Sequence, residues 1–291
     1  MNILGDIATL GFLISILRIS VPYILCGLGS TLSERGGITN IGLEGTLLLG
    51  AFGTVAVGHA TSSPTLALVA GLCVGMLIQG LYGLLVLRFR ADQIVCGVAL
   101  NMLAAGVTRF LLRFFYGSSS NSPRVESLPN TTLLGALALV LLVLSHLFLF
   151  HTPLGLRLRA CGENPEAAHA AGIRVLPTRA IGVLAAGFLG GLAGVWLASL
   201  QHQFVDMMSG GRGYIALAAM IFGRWKPVSV FGACLLFGTA EALQIRLQTA
   251  GIGIPPALLQ TIPYVLTMVA LAGAMGRARP PAALGTPWKP E

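Results

Sequence analysis

Apolar residues run through this chain in nine blocks, separated by short polar clusters rich in Gly, Pro, Ser and Arg. The blocks cover 9–32, 38–58, 64–87, 93–116, 131–151, 180–200, 213–224, 227–248 and 256–276. All but one are about 20 residues long, the length at which a helix rising 1.5 Å per residue crosses the ~30 Å hydrocarbon core. The exception, GYIALAAMIFGR at 213–224, reads as a half-helix shielded by protein. The pattern predicts an all-α fold, a polytopic transmembrane helix bundle of eight to ten spans, some broken or half-length. It forms one domain over 1–291, with a polar loop at 152–179 and a short tail at 277–291.

Composition agrees with a membrane protein. The chain is 55% hydrophobic and only 10% charged, with a mean hydropathy of +0.83. The net charge of +8 could point to nucleic acid, but the basic residues sit mostly at block ends. With loop 152–179 in the cytoplasm, Arg35, Arg88, Arg90, Arg157, Arg159, Arg174, Arg179, Arg224, Lys226, Arg277, Arg279 and Lys289 all fall inside. Arg18, Arg109, Arg113, Arg124, Arg212 and Arg246 lie near the outer side or within spans. This asymmetry sets a cytoplasmic C-terminus and an external N-terminus, and no nucleic-acid partner is expected. The loop GSSSNSPRVESLPNTT is then external, polar and mobile. The N-terminal MNILGDIATLGFLIS has no basic n-region and no small-residue cleavage site, so it does not read as a removable signal peptide. Cys26, Cys73, Cys96, Cys161 and Cys234 have no C-x-x-C spacing, which argues for small packing residues.

Two stretches resemble each other: RGGITNIGLEGTLLLGAF from Arg35 and GGRGYIALAAMIFGRW from Gly210. In each, glycines precede a short apolar stretch, and a Pro-led, glycine-rich span follows. Interrupted helices at matching positions of a repeat point to a translocation path.

The polar loop holds GENPEAAHAAGIRV at 162–175. Asn164 can cap a helix, Pro165 suits its first position, and Glu163 and Glu166 sit at the positive end of its dipole. Ala167 and Ala168 belong to its alanine body, and Gly172 can take the left-handed conformation that ends it. About two turns do not stand alone in water, so this is a docking element.

EAAHAAG at 166–172, followed by Leu176-Pro177, resembles the EAA-x-x-x-G signature of ABC importer permeases, where this helix couples to the ATPase. SERGGITNIGLEG at 33–45, GLRLRACGENPEAAHAAGI at 155–173, GRGYIALAAMIFGRWKP at 211–227 and GRARPPAALGTP at 276–287 resemble the simple-sugar/nucleoside branch. Among its members the nucleoside-import permeases are most similar. The resemblance implies an importer permease in the bacterial plasma (inner) membrane, with Glu163, Asn164, Pro165, Glu166, Ala167, Ala168 and Gly172 as the ATPase-coupling residues. It also implies a cytoplasmic ABC ATPase subunit, a second and different permease subunit, and an extracytoplasmic substrate-binding protein. The substrate is expected to be a nucleoside. Alternatives are ribose or another simple sugar, a branched-chain amino acid, or, in a different class, an ATPase-independent channel or secondary carrier. The sequence contains no G-x-x-x-x-G-K-[ST]; ATP is then hydrolysed by the partner, and this chain binds no cofactor.

Candidate pathway residues are the polar groups inside apolar blocks. Glu44 is the foremost, because an acidic group there is functional by default. Asn40, four residues earlier, would share its helical face. That pair could bond ribose hydroxyls or a base edge, or Glu44 could instead pair with a cation or cap a broken helix. Gln93 and Asn101 lie near one face of their span. Glu241 is not spaced to bond Arg246 and needs a partner from elsewhere. Tyr214 and Phe222 could stack on a base, and Gln79 and Gln260 are weaker candidates. His59, His146, His151, His169 and His202 are scattered, so neither catalysis nor a metal site is expected.

Overall fold

The computed structural model describes residues 10–249 and 279–288 and, singly, Pro255, Leu258, Thr261, Val265 and Met268. The block at 256–276 and Gln260 lie outside the described residues apart from those single positions. The helices are α1 (Leu10–Arg35), α2 (Leu43–Thr61), α3 (Pro64–Gly83), α4 (Gln93–Tyr116), α5 (Thr131–His151), α6 (Pro153–Glu163), α7 (Pro165–Ala170), α8 (Val175–Gln201), α9 (Arg212–Phe222) and α10 (Pro227–Thr249). A π-helical turn, Leu84–Arg88, extends α3. Among the described residues seven helices are long and apolar enough to cross a membrane: α1 to α5, α8 and α10. Among the described residues the one β-pairing is an isolated bridge, Asn121–Val205.

Local signals explain most helix starts. Asp92, Asn130, Thr152 and Asn164 each accept a backbone N–H, from Ile94, Thr132, Gly155 and Ala167, at 2.8–3.0 Å. Each such cap contributes about 1 kcal/mol. Pro64, Pro153 and Pro165 stand at first helical positions, where no N–H is missed.

Two boundaries depart from the apolar pattern for a physical reason. Helix α8 begins at Val175, not after Arg179, because Arg179 is buried inside its first turns. Its guanidinium donates to the carbonyls of Cys161 (2.9 Å) and Thr286 (3.2 Å). Helix α2 begins at Leu43, not 38, because 36–42 is non-helical, with Gly37 at φ +89°.

Helices α2, α3 and α8 meet backbone to backbone. A Cβ on Gly191 would stand 2.6 Å from the Gly71 carbonyl oxygen, and one on Gly75 would stand 2.6 Å from Gly191 Cα. Small residues of this kind hold membrane helices together where no hydrophobic gain separates helix from lipid.

These contacts fix the depth of the breaks. A Cβ on Gly190 would lie 3.3 Å from Leu43 and 3.0 Å from Thr46, so α2 starts level with Gly190. That residue is about 22 Å along α8 from Val175 and about 17 Å from Gln201. Helix α2 therefore starts near the middle of the bundle and runs outward. Helix α9 starts beside it and runs the opposite way, ending against the C-terminal end of α1.

The loop GSSSNSPRVESLPNTT, expected to be external and mobile, is instead pinned over 120–125. Ser122 N donates to Phe204 O (2.9 Å), Val125 N to His202 O (2.8 Å) and Asp206 N to Ser120 O (2.8 Å). Ser122 Oγ accepts Phe204 N at 2.9 Å. Polar composition alone carries no trace of this pairing, because its partner segment lies some eighty residues further along the chain.

Candidate functional site

Helix N-termini leave backbone N–H groups unpaired and carry partial positive charge. Two of them, those of α2 and α9, meet at mid-depth. A Cβ on Gly213 would stand 2.6 Å from Glu44 N, so only glycine lets the two ends abut. Glu44, 6% exposed, lies between them. Its Oε1 accepts Gly211 N at 2.7 Å and its Oε2 accepts Gly213 N at 2.6 Å. Both carboxylate oxygens cap α9, the broken-helix alternative raised by the sequence.

Asn101 on α4 caps the other helix. Its Oδ1 accepts Gly45 N at 2.8 Å, while Nδ2 donates to Ile41 O (3.0 Å) and Tyr214 Oη (2.9 Å). The chain of contacts thus closes on itself: α4 holds α2, α2 holds α9, and α9 returns to α4 through Tyr214. The Tyr214 residue remains 47% exposed.

Asn40 does not share a helical face with Glu44, because it precedes α2 in the non-helical segment. It is fully buried and forms a reciprocal amide pair with Gln79, at 3.0 and 3.1 Å. Gln79 also donates to Thr46 Oγ1 at 2.9 Å. Gln93 is buried at the cytoplasmic start of α4, where its Oε1 accepts Thr39 N at 2.7 Å. Gln93 and Asn101 do share a face, the one packed on residues 39–45.

Glu241 finds its partner elsewhere, as its spacing required. It accepts a hydrogen bond from Tyr23 and an ion pair from Arg212 Nη2 at 2.7 Å. The Arg212 and Glu241 side chains are 24% and 16% exposed. Arg212 Nη1 also reaches the carbonyls of Met208 (3.3 Å) and Ser209 (3.4 Å), bracing the non-helical segment 202–211. Sequence reasoning passed over Tyr23 and Arg212. The available signal was Arg212 itself, an arginine left unassigned by the orientation rule.

The second candidate site is the bent pair α6–α7. Helix α7 is shorter than the two turns expected, at six residues. Asn164 caps it and Gly172, at φ +82°, follows it. Ala168 is buried against Cys161 and Val175, while Glu166, Ala167 and His169 are exposed. Glu163 directly precedes the Asn164 cap. It closes α6, accepts Ala282 N at 3.3 Å and lies 4.0 Å from Arg35. The tail 279–288 straps the pair down: Ala283 N donates to Gly162 O (2.9 Å) and Gly285 N to Gly37 O (3.1 Å). Trp288 stacks edge-on against His169 at 5.2 Å. Among the described residues no cluster of His, Cys, Asp and Glu could hold a metal ion.

The family described as branched-chain amino acid transport system / permease component matches residues 12–271. The chain is similar to a guanosine ABC transporter permease protein of Bacillus subtilis, 38% identical over 92% of this chain and 93% of that protein. It is also 38% identical to a nucleoside ABC transporter permease protein of Lactococcus lactis, over 91% of this chain and 92% of the other. A putative glucose ABC transporter permease protein of Haloferax volcanii is 29% identical over 92% of both chains.

Proposed function

We propose, since the chain belongs to the permease-component family of branched-chain amino acid transport systems, that it carries nucleosides along a path beside α4 and α9. It is a permease subunit of an ABC transporter and a multi-pass protein of the bacterial plasma membrane, not an enzyme. Such permeases use ATP through a partner ATPase and work with a substrate-binding protein and a partner permease. We propose further that the second permease is a different chain, testable by co-purification from the native membrane.

The observation that carries the pathway is backbone at membrane depth. Segment 202–211 descends to the bundle's middle as a series of turns, not a regular helix, and Met207 and Gly210 on it are exposed. Irregular backbone at membrane depth is tolerated only where protein buries it or where it borders a water-filled cavity, so this exposed face lines water or another protein. Tyr214, exposed in the first turn of α9 just beyond this segment, is the residue proposed to stack on a base. Glu44, Asn101 and Glu241 hold the half-helices in place around it, and Asn40 and Gln93 hold the segment behind. Glu163, Asn164, Pro165, Glu166, Ala167 and Gly172 form the surface proposed to seat in the ATPase, with Ala168 buried beneath it as the anchor of α7; closure of the ATPase shifts an outward/inward equilibrium.

The test is uptake of labelled guanosine and adenosine in a strain lacking this gene, with and without complementation. Uptake that the gene restores and that excess ribose does not reduce supports the reading. Uptake abolished by ribose, or none at all, refutes the nucleoside assignment and favours a sugar.

A further inference from the structure

Two of the quoted motifs, SERGG at 33–37 and GRW at 223–225, lie far apart in sequence and meet at the cytoplasmic end of the bundle. Arg35 Nε donates to Trp225 O at 2.8 Å and Nη2 to Arg224 O at 3.4 Å. Its neighbour Glu34, 3% exposed, accepts Trp225 Nε1 at 2.7 Å. The turn they grip is strained: Arg224 and Trp225 stand at φ +53° and +54°, where side chains crowd the backbone. Strain of this kind persists only where the surroundings over-determine it. The third side of Arg35 faces the coupling element. Nη1 lies 4.0 Å from Glu163 Oε1, one residue before the Asn164 cap of α7.

We propose that Arg35, assisted by Glu34, is a positioning residue for transport: it ties the coupling helix to the C-terminal end of α9. Helix α9 spans about 16 Å and carries Tyr214 and the Glu44 cap at its far end. A shift of α7 pulls on Arg35 through the end of α6, and Arg35 pulls on α9 through the Trp225 carbonyl. The strained turn gives α9 a second arrangement to relax into when the grip loosens, as a switching element requires. The competing explanation is an ordinary C-cap, since an arginine at a helix C-terminus satisfies free carbonyls wherever it occurs. This inference rests on the reading that α9 borders the path.

The experiment uses the whole transporter in nanodiscs, with both permeases and the ATPase. The reporter is Ala218→Cys, four residues on from Tyr214, in a background where the accessible Cys73 and Cys96 are serine. Its alkylation by N-ethylmaleimide is timed with and without ATP and vanadate. ATP should change the rate about fivefold or more, and Arg35→Ala should abolish that change while basal ATPase activity stays within about twofold. Arg35→Lys, which keeps a donor for the Trp225 carbonyl, should restore part of it. Trp225→Phe, which loses only the Glu34 bond, should weaken it. A full response in Arg35→Ala overturns the link, and so does failure of all three variants to assemble, which would mark a purely structural cap. An unresponsive parent complex overturns the pathway reading and the link together; a responsive parent with a responsive Arg35→Ala overturns the link alone.

Discussion

Replacing Glu44 tests the midplane most directly. Its two oxygens each accept one backbone N–H of α9, at 2.7 and 2.6 Å. Glu44→Ala leaves both donors without an acceptor inside the bundle. At 1–3 kcal/mol for each orphaned group, with a share of the helix-dipole term, the loss is about 4 kcal/mol. Glu44→Gln keeps one acceptor and turns an amide donor toward the other N–H, a loss of about 2 kcal/mol. At 1.4 kcal/mol per factor of ten, the docked α9 is disfavoured roughly 30-fold by Gln and roughly 700-fold by Ala. The assay pairs thermal unfolding of the purified transporter with initial uptake rates over a range of guanosine concentrations. A cap predicts a lower Tm graded Ala below Gln, with falling maximal rate and a nearly constant KM. A Glu44→Gln protein of wild-type Tm whose KM alone rises would refute the capping argument and make Glu44 a substrate contact.

Three further outcomes follow from the geometry. Tyr214→Ala should raise the KM for guanosine about tenfold while Tyr214→Phe stays near wild type, since base stacking is worth roughly 1–3 kcal/mol; equal effects would place the contribution in the hydroxyl. Gly213→Ala puts a Cβ 2.6 Å from Glu44 N and should lower Tm sharply, as read by the same melting assay. Asn164→Ala removes the acceptor of Ala167 N and should weaken the six-residue α7 by about 1 kcal/mol. Uptake should then fall with no loss of inserted protein on a membrane immunoblot.

Long apolar blocks and local caps were legible in the sequence because each depends on neighbours within a few residues. Thus α4 and α5 match their blocks, α9 has half-helix length, and Asn164 and Gly172 bracket α7. What escaped were pairings across sequence. The Asn40–Glu44 face assumed one continuous helix from 38, whereas the glycine-led break at 36–42 turns Asn40 toward Gln79 and frees Glu44 for α9. The pinned external loop and the grip of Arg35 on Trp225 are long-range contacts that composition does not encode. Glu241 was intermediate: spacing excluded Arg246 as its partner, and only the fold could supply Tyr23 and Arg212.

The abutting half-helices also set an electrical condition at the middle of the membrane. Each N-terminus contributes about half a positive charge and Arg212 a whole one, while Glu44 and Glu241 supply two negatives. The tally is close to neutral: Glu44 faces the α9 end, Glu241 faces Arg212, and the Asn101 amide caps α2. On the proposed path, an uncharged solute would meet little net field there, whereas a sodium ion, a proton or a phosphorylated compound would find no spare counter-charge to replace its water.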